Sequence, residues 1–205
     1  MFSSVCALAG GIGAGIKVGT LGLGADVTVG LHKQINLRAN VNYLNFDYDR
    51  DIDNIEYNLD LDFISGMLLL DWHPFSNGFR ISGGAVFNDS SMAVKGTPTE
   101  PEEIGDNTYS PEMIGTLKGE VTFEDFGAYV GIGFGNAVGK DKSLSFIFDL
   151  GVVFQSYELE LTNDGIISQY PPFQNDLAKE EAKIQDDLDG YKVYPVIAFG
   201  IAYKF

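Results

Sequence analysis

Charged side chains recur along this chain where strict alternation places them on one face of successive β-strands. Small and polar residues share that face, and large apolar residues occupy the opposite one. If the strands closed into a barrel, the charged face would be enclosed, because successive side chains of a strand point to opposite sides. A buried charge is costly without a partner of opposite sign, so we expect ion pairing across the interior, with a narrow ion path or gate as the functional alternative. The predicted interior network consists of Lys17, Asp26, Arg38, Asp60, Asp62, Arg80 and Asp149.

A second candidate site is a run of aspartates at alternating positions in one predicted loop. The run comprises Asp47, Asp49, Asp51 and Asp53. Several carboxylate oxygens could together hold Ca²⁺. The EF-hand template fails, however, because Ile52 stands where it requires glycine and Asn58 where it requires the final glutamate. We therefore interpret these residues as solvated loop acids and predict neither a metal nor a cofactor.

The elements that would position these residues are eight segments of period-two alternation, each closed by turn residues. They span residues 12–19, 23–31, 35–48, 55–72, 79–94, 117–134, 144–161 and 191–205. Two long acidic connections follow the fifth and seventh segments, at 95–116 and 162–190. The second connection contains helix-forming residues over 176–188, followed by Gly190 as a stop signal, so one short helix is expected before the last strand.

The last segment shows which face of the strands meets an apolar medium. Phe199, Ile201 and Tyr203 alternate with Gly200 and Ala202. Glycine and alanine are poor choices for a solvated face but suit a crowded interior, so the large residues should point outward. This inversion is typical of a membrane β-barrel, in which apolar side chains face lipid.

Composition and charge exclude several classes of protein. The chain carries 13 Lys+Arg against 29 Asp+Glu, a net charge of −16, which makes a nucleic-acid partner implausible. At 45% hydrophobic and 20% charged residues it is no disordered acidic polymer. No run of eighteen apolar residues occurs, which excludes a membrane-spanning helix and leaves a closed barrel as the way to cross a bilayer.

The amino-terminal segment reads differently from the rest. Residues 1–11 are small and apolar, and Ala7-Leu8-Ala9 before Gly10 has the form of a signal-peptidase site. We interpret 1–11 as a residual export signal or an N-terminal extension, and 12–205 as one outer-membrane β-barrel domain. The single cysteine, Cys6, allows no internal disulfide.

With the segments LLDWHP (69–74), GNAVGK (135–140) and AYKF (202–205) in view, the chain resembles the small outer-membrane β-barrel proteins of Gram-negative bacteria. Its architecture is similar to that of the OmpA-barrel and OmpX-like group. The resemblance implies an eight-stranded antiparallel up-and-down transmembrane barrel in the bacterial outer membrane, porin-like in architecture and monomeric. It implies outer-membrane lipid and lipopolysaccharide as partners, and the barrel-assembly machinery acting through the terminal strand that ends in Phe205.

Two alternatives to this non-enzymatic barrel stay open from the sequence. A soluble lipocalin-like carrier of small hydrophobes would bury the large residues, although its Gly-x-Trp signature is missing. A lipid-modifying barrel enzyme would need a Ser/His/acid set near the outer rim. His32 and His73 instead both fall at the strand ends that are farthest from the outer rim. We interpret His73 and its neighbour Trp72 as anchors at the rim of the barrel. The roles that we expect for the protein are then a structural role, a surface interaction or a very narrow channel.

Overall fold

The computed structural model describes residues 11–52, 55–139, 143–188 and 192–205, and no side chain of residues 49–57. Its elements are β1 (Ile12–Gly19), β2 (Gly22–His32), β3 (Ile35–Ile52), β4 (Ile55–Trp72), β5 (Phe79–Pro98), β6 (Glu102–Ile104), β7 (Asn107–Tyr109), α1 (Pro111–Ile114), β8 (Leu117–Phe123), β9 (Phe126–Phe134), β10 (Leu144–Phe154), β11 (Tyr157–Asn163), α2 (Pro171–Leu188) and β12 (Val193–Lys204). No helix within the described ranges is long and apolar enough to cross a membrane.

Eight of the strands form a closed antiparallel ring. Their order is β5-β4-β3-β2-β1-β12-β10-β9, and β9 pairs again with β5. At one end of the ring β8 takes the place of β9 beside β5, and β11 pairs with β8 alone, so the ring is not closed evenly over its height. The all-β, antiparallel up-and-down architecture is therefore confirmed.

The number of strands and helices differs from the sequence prediction. The predicted sixth strand is divided into β8 and β9, and the seventh into β10 and β11, because residues 124–125 and 155–156 interrupt the pairing. The connection predicted as a plain loop over 95–116 contains the β6–β7 hairpin and α1. Helix α2 begins at Pro171 and has 18 residues, so it is longer than the helix expected over 176–188.

The small residues face the inside of the ring and the large ones face outward. Along β12, Ala198 and Ala202 are buried, whereas Phe199, Ile201 and Tyr203 are 60%, 40% and 51% exposed. The same alternation runs through the other strands of the ring. Large apolar side chains therefore face outward and small ones face inward, as the last segment of the sequence predicted.

Glycines on both neighbouring strands make room for the longest interior side chain of β1. Lys17 pairs with Gly24 on β2 and with Gly200 on β12. A Cβ at position 24 would lie 3.0 Å from Cγ and Cε of Lys17, and one at position 200 would lie 2.8 Å from its Cβ and would overlap the carbonyl oxygen of Ile16. The Lys17 side chain can lie across its neighbours only because they lack side chains.

A second apolar core lies at the uneven end of the ring. We call the segments around it, from β6 through β8 together with β11 and α2, the cap. Its buried centre consists of Ile104, Ile114, Phe173 and Leu177. Helix α2 lies along the edge of β11 that has no strand partner: Gln185 Oε1 accepts the backbone N–H of Leu159 at 3.0 Å, and Glu181 Oε2 accepts that of Leu161 at 2.9 Å.

Replacing Gly200 by alanine should destabilise the ring by roughly 1–3 kcal/mol, because the new methyl group would be forced against the backbone of β1. The matched control is Gly83→Ala, where a Cβ would meet its nearest neighbour, the carbonyl oxygen of Tyr129, at an ordinary 3.7 Å. The free energies of unfolding from urea titrations of the two variants would check this. Equal stability would show that the close approach of β1 and β12 imposes no constraint.

Candidate functional site

The interior of the ring contains a buried cluster of two arginines and two aspartates. Asp149 Oδ2 lies 3.0 Å from Arg38 Nη1, and Asp149 Oδ1 lies 2.7 Å from Arg80 Nη2. Asp71 Oδ2 lies 2.9 Å from Arg38 Nε, and Ser82 Oγ donates to Asp71 Oδ1 at 2.6 Å. Asp149 therefore bridges two guanidinium groups, while Asp71 orients one of them.

A separate ion pair extends the charged interior toward β1 and β2. Lys17 Nζ lies 3.4 Å from Asp26 Oδ1, and both side chains are buried. In the described part of the ring, the buried Lys, Arg, Asp and Glu side chains are then three basic and three acidic ones. Formal charge balances inside the ring, as expected where few water molecules can solvate an unpaired ion.

The structure brings five of the seven residues predicted for the interior network into this space. Asp60 and Asp62 lie elsewhere: Asp62 is exposed, and Asp60 is half-exposed and pairs with Lys95 at 3.2 Å. On β4 it is the odd-numbered positions that face inward, so Asp71 enters the network in their place. A signal for Asp71 was present in the sequence, because an outward Trp72 requires its neighbour to point inward.

An apolar layer fills the rest of the interior. It consists of Met67, Leu69, Val86, Tyr129, Val153 and Val196. Two recesses of about 10 Å³ each have no lining residue in common. The first is bordered by Phe63 and Tyr194 near the cap, and the second by His73 and Asn136 near the opposite end. Side chains therefore plug the ring between its two ends.

His73 is not the rim anchor that the sequence suggested. It is 1% exposed and lies inside the ring. Its Nδ1 lies 3.1 Å from the carbonyl oxygens of Asn77 and Phe79, and its Nε2 lies 3.1 Å from Nδ2 of Asn36. Nδ1 must therefore carry the proton donated to the carbonyls, and Nε2 accepts from the amide. Trp72, which is 50% exposed, does face outward at that end.

Asparagines continue the polar interior along β3. Asn42 donates to Oδ1 of Asn40 at 2.7 Å and to the hydroxyl of Ser65 at 3.0 Å. Asn40 in turn donates to the carbonyl oxygen of Ala25 at 3.1 Å. Together with Arg38 they place a polar side chain at every inward position of this part of β3.

A single buried carboxylate joins the β6–β7 hairpin to helix α2 in the cap. Asp176 accepts hydrogen bonds from Asn107 Nδ2 at 2.6 Å, the Tyr109 hydroxyl at 2.8 Å and Lys179 Nζ at 2.9 Å. The hydrogen bond from Asn107, followed by those from Lys179 and Tyr109, holds the pKa of Asp176 well below its usual range. Hydrogen bonds to Asp106 and Asp176 raise the pKa of Lys179. The sequence had not singled out this group.

The aspartate run proposed for cation binding falls largely outside the described part of the structure. Asp53 and the side chains of Asp49 and Asp51 belong to the portion that is not described, while Asp47 is exposed. Within the described ranges no group of three acidic, histidine or cysteine residues could hold a metal ion. The absence of a metal and of a cofactor stays a prediction.

The same architecture occurs in two solved structures. No protein-family model and no curated protein matches the chain. The crystal structure of Acinetobacter baumannii CarO2 is similar over 95% of this chain and 98% of its own, with a TM-score of 0.66 and 22% sequence identity. That of Acinetobacter baumannii CarO has a TM-score of 0.61 and 19% identity over 95% and 98% of the two chains. At these identities the likeness establishes a common fold.

Replacing Asp149 by asparagine should destabilise the ring by about 3–5 kcal/mol, because two buried guanidinium groups would lose a shared carboxylate. Asp60→Asn is the matched control, since its half-exposed pair with Lys95 should contribute about 1 kcal/mol or less. Urea unfolding of the two variants measures the difference. Similar losses for both would mean that the buried network contributes no more than a surface pair.

The attachment of the β6–β7 hairpin to α2 should weaken as the pH falls. Since folding lowers the pKa of Asp176 from its ordinary 3.8, its stabilising effect is complete above that value and is lost as the pH falls through the folded pKa. Hydrogen exchange of the α2 and hairpin amides should thus show extra opening in strong acid, and Asp176→Asn should show it already at neutral pH. Asp186→Asn, on the exposed side of α2, serves as the control.

Proposed function

We propose that this protein is a monomeric, non-enzymatic β-barrel of the bacterial outer membrane. In this proposal the ring is an eight-stranded transmembrane barrel comparable to the OmpA-barrel and OmpX-like group, its lumen is closed by side chains, and it carries a folded acidic cap on the cell surface. The likeness to the two CarO structures supports the fold. The argument for the membrane comes from the outer surface of the ring.

The outer face of three adjacent strands changes from charged to apolar at one level. On β4 the outward positions run from Asp60 and Asp62 to Ile64, then to Leu68 and Leu70. On β3, Asn45 is the first outward polar residue after Tyr43, and it pairs with Asp62 of β4. On β5, Asp89 is the first outward charged residue after Phe87, and it pairs with Ile64 of β4. A boundary that crosses three strands at nearly one height is what the edge of a hydrocarbon layer would require.

Aromatic residues border this apolar surface at both ends. Toward the cap the exposed aromatics at outward positions are Tyr43, Phe87, Phe126 and Phe154. Toward the opposite end they are Trp72, Phe75, Phe134, Phe146, Tyr203 and Phe205. Aliphatic side chains, together with Phe199, occupy the exposed surface between them. Two aromatic girdles around an aliphatic band are the arrangement that membrane barrels present to lipid headgroups and acyl chains.

Charge distribution supports an orientation with the cap outside the cell. Residues 95–124 and 156–192 carry sixteen Asp+Glu and five Lys, whereas the short turns 32–34, 73–78 and 135–143 carry three Lys and one Asp. Outer-membrane barrels have long surface loops and short periplasmic turns. The cap would then repel lipopolysaccharide phosphates except where divalent cations bridge them, and assembly would use the terminal strand ending at Phe205.

The closed interior and the ordered cap support a role in surface contact and envelope structure. The two plugging layers leave no wide passage for a solute, and the recesses are far smaller than the cavity of a carrier. The lipocalin-like alternative is disfavoured because the interior holds ion pairs while large apolar residues face outward. The barrel-enzyme alternative is disfavoured because His73 is buried among amide and carbonyl partners.

Leu68→Arg should prevent insertion into lipid, because an arginine on the lipid-facing surface near mid-height costs about 2–4 kcal/mol. Asp62→Arg is the matched control, since it places the same side chain on the same face of β4 three inward–outward repeats nearer the cap. Heat-modifiable migration after refolding into lipid vesicles reports the inserted fraction. If both arginine variants inserted equally well, the apolar surface would not be a membrane surface.

A further inference from the structure

The Lys17–Asp26 pair is the loosest part of the interior network. Arg38 contacts two carboxylates, and Arg80 contacts Asp149 and the carbonyl oxygen of Gly135. Lys17 instead has one carboxylate neighbour, 3.4 Å away. Neither oxygen of Asp26 accepts a hydrogen bond from any residue in the described ranges, although its side chain is only 1% exposed. A buried carboxylate with so few donors has free capacity to coordinate another positive group.

This pair lies on the polar side of the interior. The apolar layer comes from β4, β5, β9, β10 and β12. Strands β1 to β3 contribute Lys17, Asp26 and the polar positions 36, 38, 40 and 42 of β3. Positions 36 to 42 cover roughly 20 Å at about 3.3 Å per residue, so polar groups line most of the height of the plugged region. The apolar layer therefore fills one side of the interior, and polar side chains fill the other.

We propose that Lys17 is the built-in blocking cation of a narrow path for small monovalent cations along β1–β3. Its ammonium group occupies the position beside Asp26 that a permeating cation would take. The residues paired with it on the two neighbouring strands, Gly24 and Gly200, have no side chain that could fill the space if Lys17 were shortened, and the side chain beside Gly24 is the polar amide of Asn42. The carboxylate of Asp26 selects for positive charge at this point.

Charge balance explains why the path would be selective once it is open. With Lys17 neutralised, the buried interior keeps two arginines against three aspartates, so the local field favours cations over anions. The acidic cap adds to this by raising the cation concentration at its end of the ring. The inference rests on the proposed membrane barrel, because a path of this kind has a function only across a bilayer.

Planar-bilayer recording of the refolded full chain in KCl tests the proposal. Wild-type protein should show almost no steady current. Lys17→Ser should raise the conductance by about tenfold or more, because it removes both a fixed like charge and the bulk of the long side chain from the path. In a KCl gradient its reversal potential should shift toward that of K⁺. Lys17→Met, which keeps the volume but not the charge, should stay silent.

A double variant assigns selectivity to Asp26. Lys17→Ser with Asp26→Asn should lose the preference for K⁺ over Cl⁻. A folded Lys17→Ser protein without current overturns the proposal, and so does a current that is not cation-selective or that persists in Lys17→Met. If Lys17→Ser does not fold, Lys17→Thr, which has a higher strand propensity, replaces it with the same expected results.

Insertion is measured separately from conductance. Heat-modifiable migration and protection from protease in vesicles show whether each variant spans the bilayer. Failure of the wild-type protein to insert would defeat the proposed function itself. Insertion of all variants with no current from any of them would defeat the Lys17 inference alone.

Discussion

The enclosed space of an eight-strand ring has to be filled and electrically balanced, and most features of this chain follow from that requirement. A ring of this size is just wide enough for its own side chains. Asp149 satisfies two arginines at once, Asp71 and Ser82 fix the geometry of Arg38, and an apolar layer occupies the remaining width. Small residues on the neighbouring strands are needed to admit these long side chains. The large residues are then left for the outer surface.

Much of the ring could be predicted from the sequence because alternation is a local signal. The eight segments, the inward direction of Arg38, Arg80 and Asp149, and the helix before the last strand all follow from residue order. The interruptions at 124–125 and 155–156 could not be predicted, since they depend on which neighbouring strand ends at that height. The β6–β7 hairpin and α1 owe their structure to packing against Phe173 and Leu177, which lie at least 59 residues further along the chain than Ile104 and Ile114.

The misassignment on β4 has a physical cause. In the 55–63 segment, apolar residues alternate with acids just as they do further down the chain, and the acids were therefore placed inside. In the structure, however, the alternation of β4 is unbroken and its odd-numbered positions face inward throughout, so Asp60 and Asp62 face outward and Phe63 turns in toward Phe123 and Tyr194. The outward side chains of β4 are therefore acidic at one end of the strand and apolar at the other, although the alternation of inward and outward positions is unbroken. Periodicity shows that the two faces differ, but only the closure of the whole strand into the ring shows which face is inside.

The way helix α2 lies beside β11 affects how the molecule behaves among its neighbours. Because the ring is not closed evenly, one edge of β11 has backbone donors without a strand partner. Such an edge readily pairs with a strand of another polypeptide. Gln185 and Glu181 supply the missing acceptors one helical turn apart, which matches the spacing of alternate residues on the strand. The helix therefore covers an edge of the sheet that would otherwise be open to pairing with a strand of another copy.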